Sequence, residues 1–311
     1  MTTALVTHDA AMHHVNPAGH PEQVARISHV LSALEGKDML RVRAPLAAED
    51  DLLRVHPRAH LEALRSAAPT EGFAQIDGDT FMSPGTLEAA TRAVGGAVQA
   101  VDMIIAEEVR NAFIAMRPPG HHAERETAMG FCYFGTVAAA VRHALNHHGL
   151  ERVAVVDFDV HHGNGTQDLL EEDARVFFAS SHQSPLFPGT GAAHDTGPHG
   201  TVMNVPLSSG TGGQEFRRLW DREILPAVAA HDPEMIFISA GFDAHRDDPL
   251  ASLNLTEADF AWVTEAICEL ASTQCAGRVM SSLEGGYDLD ALGRSVAAHA
   301  DALIAAGAKT G

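Results

Sequence analysis

The sequence predicts a three-layer α/β/α fold with a mainly parallel central sheet, and three observations carry that prediction. Short apolar, β-branched runs alternate with amphipathic helical stretches along nearly the whole chain, the pattern of a parallel sheet covered by helices. The runs end in polar residues that no core needs, and in a parallel sheet such ends collect along one edge. No Pro/Ser-rich linker, low-complexity tract or internal repeat interrupts the chain, so residues 1–311 are expected to form a single domain.

Thr3 to Thr7 reads as the first short strand. His20-Pro21-Glu22 followed by QVARISHVLSAL reads as a helix start, with Pro21 near the first turn and Val24, Ile27, Val30, Leu31 and Leu34 apolar. Arg26 on that helix is expected to make a structural salt bridge. His56 to Arg65 is a second amphipathic helix, and Thr70 to Ser83, punctuated by Gly and Asp, is a loop. Pro84 to Glu108 reads as a long Ala-rich helix that tolerates Gly95 and Gly96 only where another backbone packs closely. Asn111 to Met116 is a strand running into Arg117-Pro118-Pro119-Gly120-His121-His122, and Phe131 to His148 returns as a helix. His143 and His147 lie one helical turn apart, a spacing that can bind metal. With no acidic residue nearby in sequence, they are expected on a solvated face.

The most informative stretch is Arg152 to Asp168. Val153-Ala154-Val155-Val156 reads as a buried strand. Asp157, Asp159 and His161 follow at a spacing of two, so in extended geometry they leave the strand end on one side. Gly163 and Gly165 are expected to free the backbone for a tight turn. Carboxylates and an imidazole held together suit a divalent ion of the zinc type. Further strands are expected at Arg175 to Ser180, Val202 to Leu207, Met235 to Ser239 and Arg278 to Leu283. Helices are expected at Glu215 to Ala230, at Glu257 to Ala271 with Thr256 as cap, and at Asp290 to Ala306.

A formal net charge of −20 argues against nonspecific binding to nucleic acid; it would favour cationic substrates by long-range steering, much of it screened by salt, but solubility is the preferred explanation for it. No apolar run is long enough to span a bilayer, so no membrane partner is expected, and the N-terminus lacks the basic start and apolar core of a signal peptide. Cys132, Cys268 and Cys275 never form a CxxC pair, which argues against a disulfide framework or a Cys-based zinc site and fits a cytoplasmic location. The composition leaves a homo-oligomer open.

Four strand ends therefore carry His121/His122, Asp157/Asp159/His161, Asp243 and Tyr287. Together they supply the parts of a metal-assisted hydrolase. Two carboxylates and an imidazole hold a metal with positions left open. A histidine pair moves protons near neutral pH, and a phenol can hydrogen-bond a developing oxyanion.

The blocks RPPGHHA, GFCYF, DFDVHHGNGTQ, SAGFDAHRDDPL and LEGGYDL resemble, in order, the signature blocks of the histone deacetylase family, within the arginase/deacetylase superfamily. The resemblance runs from about His20 to the C-terminal helix, and Asn164 and Glu284 make it similar to the class II branch and its bacterial relatives. It implies one Zn2+ per chain on Asp159, His161 and Asp243, with Fe2+ or Co2+ as possible substitutes. It also implies His121 and His122 as the histidine pair, Asp157 orienting His121, Asn164 facing His122, and Tyr287 polarising the acyl oxygen. Phe131, Phe187, Gly130 and Leu250 would line a narrow acyl-lysine channel. A structural K+ would lie among Asp157, Asp159, His161, Ser180 and Ser181, largely on backbone oxygens. The implied substrate is an acylated amine, either an acetyl-lysine peptide or an acetylpolyamine. Leu250 after Asp248-Pro249 leans to the former, because one polyamine-selective branch carries an acidic residue there. Asp243-Ala244-His245-Arg246-Asp247 also imitates the DAHxD block of binuclear manganese ureohydrolases, the rival enzyme class. A non-catalytic acyl-lysine binding module would be expected to have lost a ligand, a histidine or the tyrosine, and all are present.

Overall fold

The computed structural model describes residues 2–308. β1 (Thr3–Thr7) leads through a 3-10 turn to α1 (Ala25–Ala33) and β2 (Met39–Arg43). Next come α2 (Glu49–Leu53), α3 (Arg58–Ala67), the two-residue strands β3 (Ala74–Gln75) and β4 (Phe81–Met82), and α4 (Thr86–Ile105). The middle of the chain holds β5 (Asn111–Ile114), α5 (Thr136–Asn146), β6 (Val153–Asp157), α6 (Asn164–Leu170), β7 (Val176–Gln183) and β8 (Val202–Leu207). α7 (Gly213–Leu219), α8 (Leu225–His231), β9 (Ile236–Ala240), α9 (Glu257–Gln274), β10 (Val279–Leu283) and α10 (Leu289–Ala308) complete it. No helix among the described residues is long and apolar enough to cross a membrane.

The central sheet runs β2-β1-β5-β10-β9-β6-β7-β8 with every neighbouring pair parallel, as the alternation of strand and helix predicts. β5, β6, β9 and β10 are buried at every position, because helices cover the middle of the sheet. α1 and α9 pack on α10, and α4 packs on α5. Parallel pairing brings the carboxyl ends of β5, β6, β9 and β10 side by side, and those four ends carry the polar residues picked out above.

Several expectations need correction. β2 and α2 carry no sequence signal: β2 is an edge strand whose Leu40, Arg41 and Arg43 are exposed, so the apolar run that marks the other strands is missing. The helix expected from Phe131 begins only at Thr136. Gly130 and Phe131 take positive φ angles of 55° and 68°, which hold this stretch out as a loop. The stretch expected as one helix from Glu215 is interrupted by a π turn at Trp220–Ile224, where the buried Trp220 donates from Nε1 to Ser181 Oγ at 3.0 Å. Gly95 behaves as expected, since a Cβ there would lie 2.3 Å from the Pro45 carbonyl oxygen. Gly163 does not: its φ of −76° suits any residue, but a Cβ would lie 2.3 Å from Asp157 Oδ2. Its missing side chain makes room for that carboxylate.

His143 is buried rather than solvated. Its acidic partner, Asp102, lies 41 residues earlier on α4 and accepts from His143 Nε2 at 2.6 Å. His299 on α10 is also buried, among Phe113, Phe158 and Phe242. Thr264 Oγ1 donates to the Phe260 carbonyl, so it accepts from His299 Nδ1 at 2.7 Å, while Ser281 Oγ donates to Nε2 at 2.9 Å. Burial lowers the His299 pKa from 6.5 to about 3. Between those values the unfolded chain binds the proton and the folded one does not. The contribution of neutral His299 to stability is therefore complete above about pH 6.5 and is lost as pH falls toward 3. Replacing His299 by Gln should remove about 1.4 kcal/mol per pH unit from the slope of stability across that window. Urea unfolding of both proteins at pH 7 and pH 5 measures it; parallel pH profiles would refute it.

Candidate active site

Asp159, His161 and Asp243, the ligand set that the family resemblance implies, lie together and buried, whereas Asp157, the third residue of the spacing of two, pairs with His121 instead. His161 Nδ1 lies 3.1 Å from Asp159 Oδ1 and 3.1 Å from Asp243 Oδ2. Each carboxylate is aimed by a backbone N–H: Gly285 N donates to Asp159 Oδ2 at 2.8 Å, and Val160 N donates to Asp243 Oδ1 at 2.9 Å. Gly285 is required by close approach, because a Cβ there would lie 2.0 Å from Asp243 Oδ2. Separations near 3.1 Å match the spacing of donors around a tetrahedral ion with bonds of about 2.0–2.1 Å.

The electrostatics are compatible with a bound cation. Burial penalises every charge here, yet the two carboxylates outweigh it at His161 and push its pKa up to about 10. Burial and the neighbouring Asp159 raise Asp243. Burial raises Glu284 to about 7, and burial with the Asp243 charge raises Asp248 to about 7. So many carboxyls in one buried pocket repel one another unless positive charge sits among them.

The paired histidines stand beside this triangle, with ring centroids 4.0 Å apart. His121 Nδ1 donates to Asp157 Oδ2 at 3.0 Å, and His122 Nδ1 donates to Asn164 Oδ1 at 2.8 Å, so the expected partners are the observed ones. Both imidazoles therefore turn Nε2 away from those partners. Their electrostatics differ. Burial opposes charge at His121, but Asp159 and Asp157 outweigh it and hold the pKa well above 6.5. At His122 burial, reinforced by the charges of His121 and His161, holds it well below 6.5. One histidine is thus poised to hold a proton and its neighbour to lack one.

Above them opens a pocket of about 560 Å³ lined in part by His20, Phe81, Gly130, Phe131, Phe187 and Tyr287. Phe131 meets the Tyr287 ring edge-on at 5.8 Å, and Phe187 meets His122 at 5.1 Å, and both phenylalanines line the pocket. Leu250 and Phe187, each more than a third exposed, stand at the rim. Of the residues named for a monovalent cation, Ser180 is the register partner of Asp157. Ser180 Oγ donates to His182 Nδ1 and Ser181 Oγ accepts from Trp220, so a cation there would use backbone oxygens. His245 faces Glu257 at 3.4 Å and Asp247 at 3.6 Å instead of the triad, so the DAHxD block builds no second metal position beside the first.

Sequence reasoning missed what lies beneath these groups. Arg26 does make its salt bridge, with Glu22 at 3.0 Å, but it also donates to the carbonyls of Gly286 and Glu284 at 2.6 Å each. Its guanidinium lies 4.9 Å from the Tyr287 ring centroid. Glu22 is shared with Arg117, which donates to the Ala11 and His14 carbonyls. Glu284 accepts from the backbone N–H groups of Gly120 and His121, and Asp248 accepts from Tyr287 N at 2.7 Å. These carboxylates and guanidiniums fix the loops that carry the histidines and the phenol.

Comparison with known proteins agrees with this geometry. The histone deacetylase domain model matches residues 20–303. "Histone deacetylase 10, chloroplastic" of Oryza sativa subsp. japonica is 40% identical over 310 residues, covering 92% of this chain and 70% of the relative. "Histone deacetylase-like amidohydrolase" of Pseudomonas aeruginosa is 39% identical over 279 residues, covering 87% of this chain and 73% of the relative. The crystal structure of the HDA15 HD domain superposes with a TM-score of 0.93 at 32% identity, covering 99% of this chain and 89% of that one.

Proposed function

Since the chain belongs to the histone deacetylase family, we propose that it is a zinc-dependent amidohydrolase that removes acetyl or related acyl groups from an N-acylated amine of the acetyl-lysine type. One observation carries the reading: three buried donors converge beside an electrostatically unequal histidine pair, at the base of an aromatic-walled pocket. Asp159, His161 and Asp243 would hold the zinc, which supplies Lewis acidity toward the acyl carbonyl and toward the attacking water. The side chains of the chain do the rest. His122, neutral and oriented by Asn164, takes the proton from the water at Nε2. Tyr287 donates its hydroxyl hydrogen bond to the acyl oxygen as negative charge grows there. His121, hydrogen-bonded to Asp157, would give a proton to the departing amine, and the proton taken up by His122 would then restore the pair. A K+ on the backbone oxygens near Ser180 and Ser181 belongs to the same proposal.

Phe131 and Phe187 would hold the methylene stem of an acyl-lysine, and Leu250 adds no charge at the rim. A second reading, an acetylpolyamine substrate, is favoured by Asp79, which lines the same pocket and could meet a second ammonium. Turnover of an acetyl-lysine peptide against acetylspermidine and acetylputrescine by zinc-loaded protein separates the two. The peptide should be the better substrate, and Tyr287→Phe should lower kcat by about 10²–10³-fold. Turnover of acetylpolyamines alone would overturn the substrate assignment, and full activity of Tyr287→Phe would overturn the role of the phenol.

A further inference from the structure

A second cluster of metal-ligating side chains lies away from the pocket. α4 ends before β5 and α5 ends before β6, so both helices finish at the amino edge of the sheet, opposite the strand ends that build the pocket. There Asp102 of α4 meets His143, His147 and His148 from the end of α5. Asp102 Oδ1 accepts from His143 Nε2 at 2.6 Å and from His148 Nε2 at 2.7 Å. The His147 ring stacks on His143 at 4.7 Å and meets His148 edge-on at 4.9 Å. We propose that Asp102, His143, His147 and His148 form a second site for a divalent transition metal of the zinc class, clamping α4 to α5 independently of the catalytic centre.

The donor set fits that ion. Three borderline imidazoles and one harder carboxylate are all ligand types that zinc accepts, and one donor atom from each residue lies within 4.8 Å of the others. Donors around a tetrahedral zinc stand about 3.3 Å apart, given bonds of about 2.0–2.1 Å. The pairs now at 2.6 and 2.7 Å need open only by a fraction of an ångström.

An unpartnered atom gives independent support. His143 is 95% buried by its 5% exposure, yet its Nδ1 has no hydrogen-bond partner. While Nε2–H donates to Asp102, Nδ1 carries a buried lone pair that nothing satisfies. If Nε2 instead gives its lone pair to a metal, the proton moves to Nδ1. That N–H then faces Asp51 Oδ1, 4.0 Å away on α2. A carboxylate behind the far ring nitrogen is the usual support of a metal-bound imidazole. The metal-bound tautomer therefore replaces an unsatisfied buried lone pair by an N–H that points toward an anion, 4.0 Å away and outside hydrogen-bond distance.

Zinc chloride titrated into an Asp159→Asn/Asp243→Asn chain tests this, because the catalytic ligands are then disabled. One zinc per chain should bind and raise Tm, and adding His147→Ala/His148→Ala should abolish both effects. In the otherwise native chain, His147→Ala/His148→Ala should lower zinc content by one per chain with kcat/KM unchanged. Should the double alanine chain fold poorly, His148→Gln keeps a hydrogen bond to Asp102 while removing an imidazole. It should weaken the same titration by about tenfold or more. No zinc uptake by the Asp159→Asn/Asp243→Asn chain, or uptake unchanged by the His147 and His148 replacements, would overturn the proposal.

Discussion

His122→Ala should lower kcat for deacylation by about 10²–10⁴-fold and leave KM nearly unchanged. The reason lies in how the two histidines are divided. Asn164 offers His122 a neutral acceptor at 2.8 Å, whereas Asp157 offers His121 a charged one at 3.0 Å. Burial and the neighbouring imidazoles then keep His122 unprotonated, so it can accept a proton that His121 cannot. On the proposed mechanism, removing it deletes the proton acceptor while the aromatic residues lining the pocket stay in place. Steady-state kinetics on the preferred substrate decides the point. A variant that kept kcat within a few-fold of the parent would assign the base elsewhere.

Asp243→Asn should weaken zinc binding by more than the roughly 10–100-fold seen when an outer partner of a metal ligand is lost. The amide keeps an oxygen to accept from Val160 N, so local folding survives, but the second anionic donor beside His161 is gone. In the metal-free chain Asp243→Asn relieves repulsion with Asp159 but loses the charged contact to His161 at 3.1 Å, so the zinc-induced shift, not the metal-free stability, is the readout. Zinc should raise the stability of the parent by about 4 kcal/mol at 1,000 times its Kd, and that of the variant far less. Thermal melts with and without zinc, in a His147→Ala/His148→Ala background, read this centre alone. An equal zinc-induced shift in parent and variant would remove Asp243 from the ligand set.

The catalytic cluster was legible only in part from local signal. Alternation of strand and helix fixes that the strand ends share an edge, but β6 stops at Asp157, and the choice of Asp159, His161 and Asp243 as ligands came from the family resemblance. The channel phenylalanines came only from the family resemblance, since nothing in the local pattern separates Phe131 from a core residue. What stayed hidden depends on partners far apart in sequence. Glu22 meets Arg117 across 95 residues, and Asp102 meets His143 and His148 across 41 and 46. No periodicity encodes such pairs, and they form only when the sheet order brings their elements together. Gly163 shows a subtler failure: the glycine was read as a turn residue, but what it provides is space for the Asp157 carboxylate.

The most direct test of the zinc-dependent deacylase reading is activity on an acetyl-lysine peptide before chelation, after chelation to a zinc-free state verified by elemental analysis, and after zinc is returned. Activity should vanish on chelation and return with zinc, and Asp243→Asn should fail to recover under the same conditions. A verified zinc-free protein that hydrolyses the peptide at the full rate would contradict the assignment of Asp159, His161 and Asp243 as the centre of catalysis.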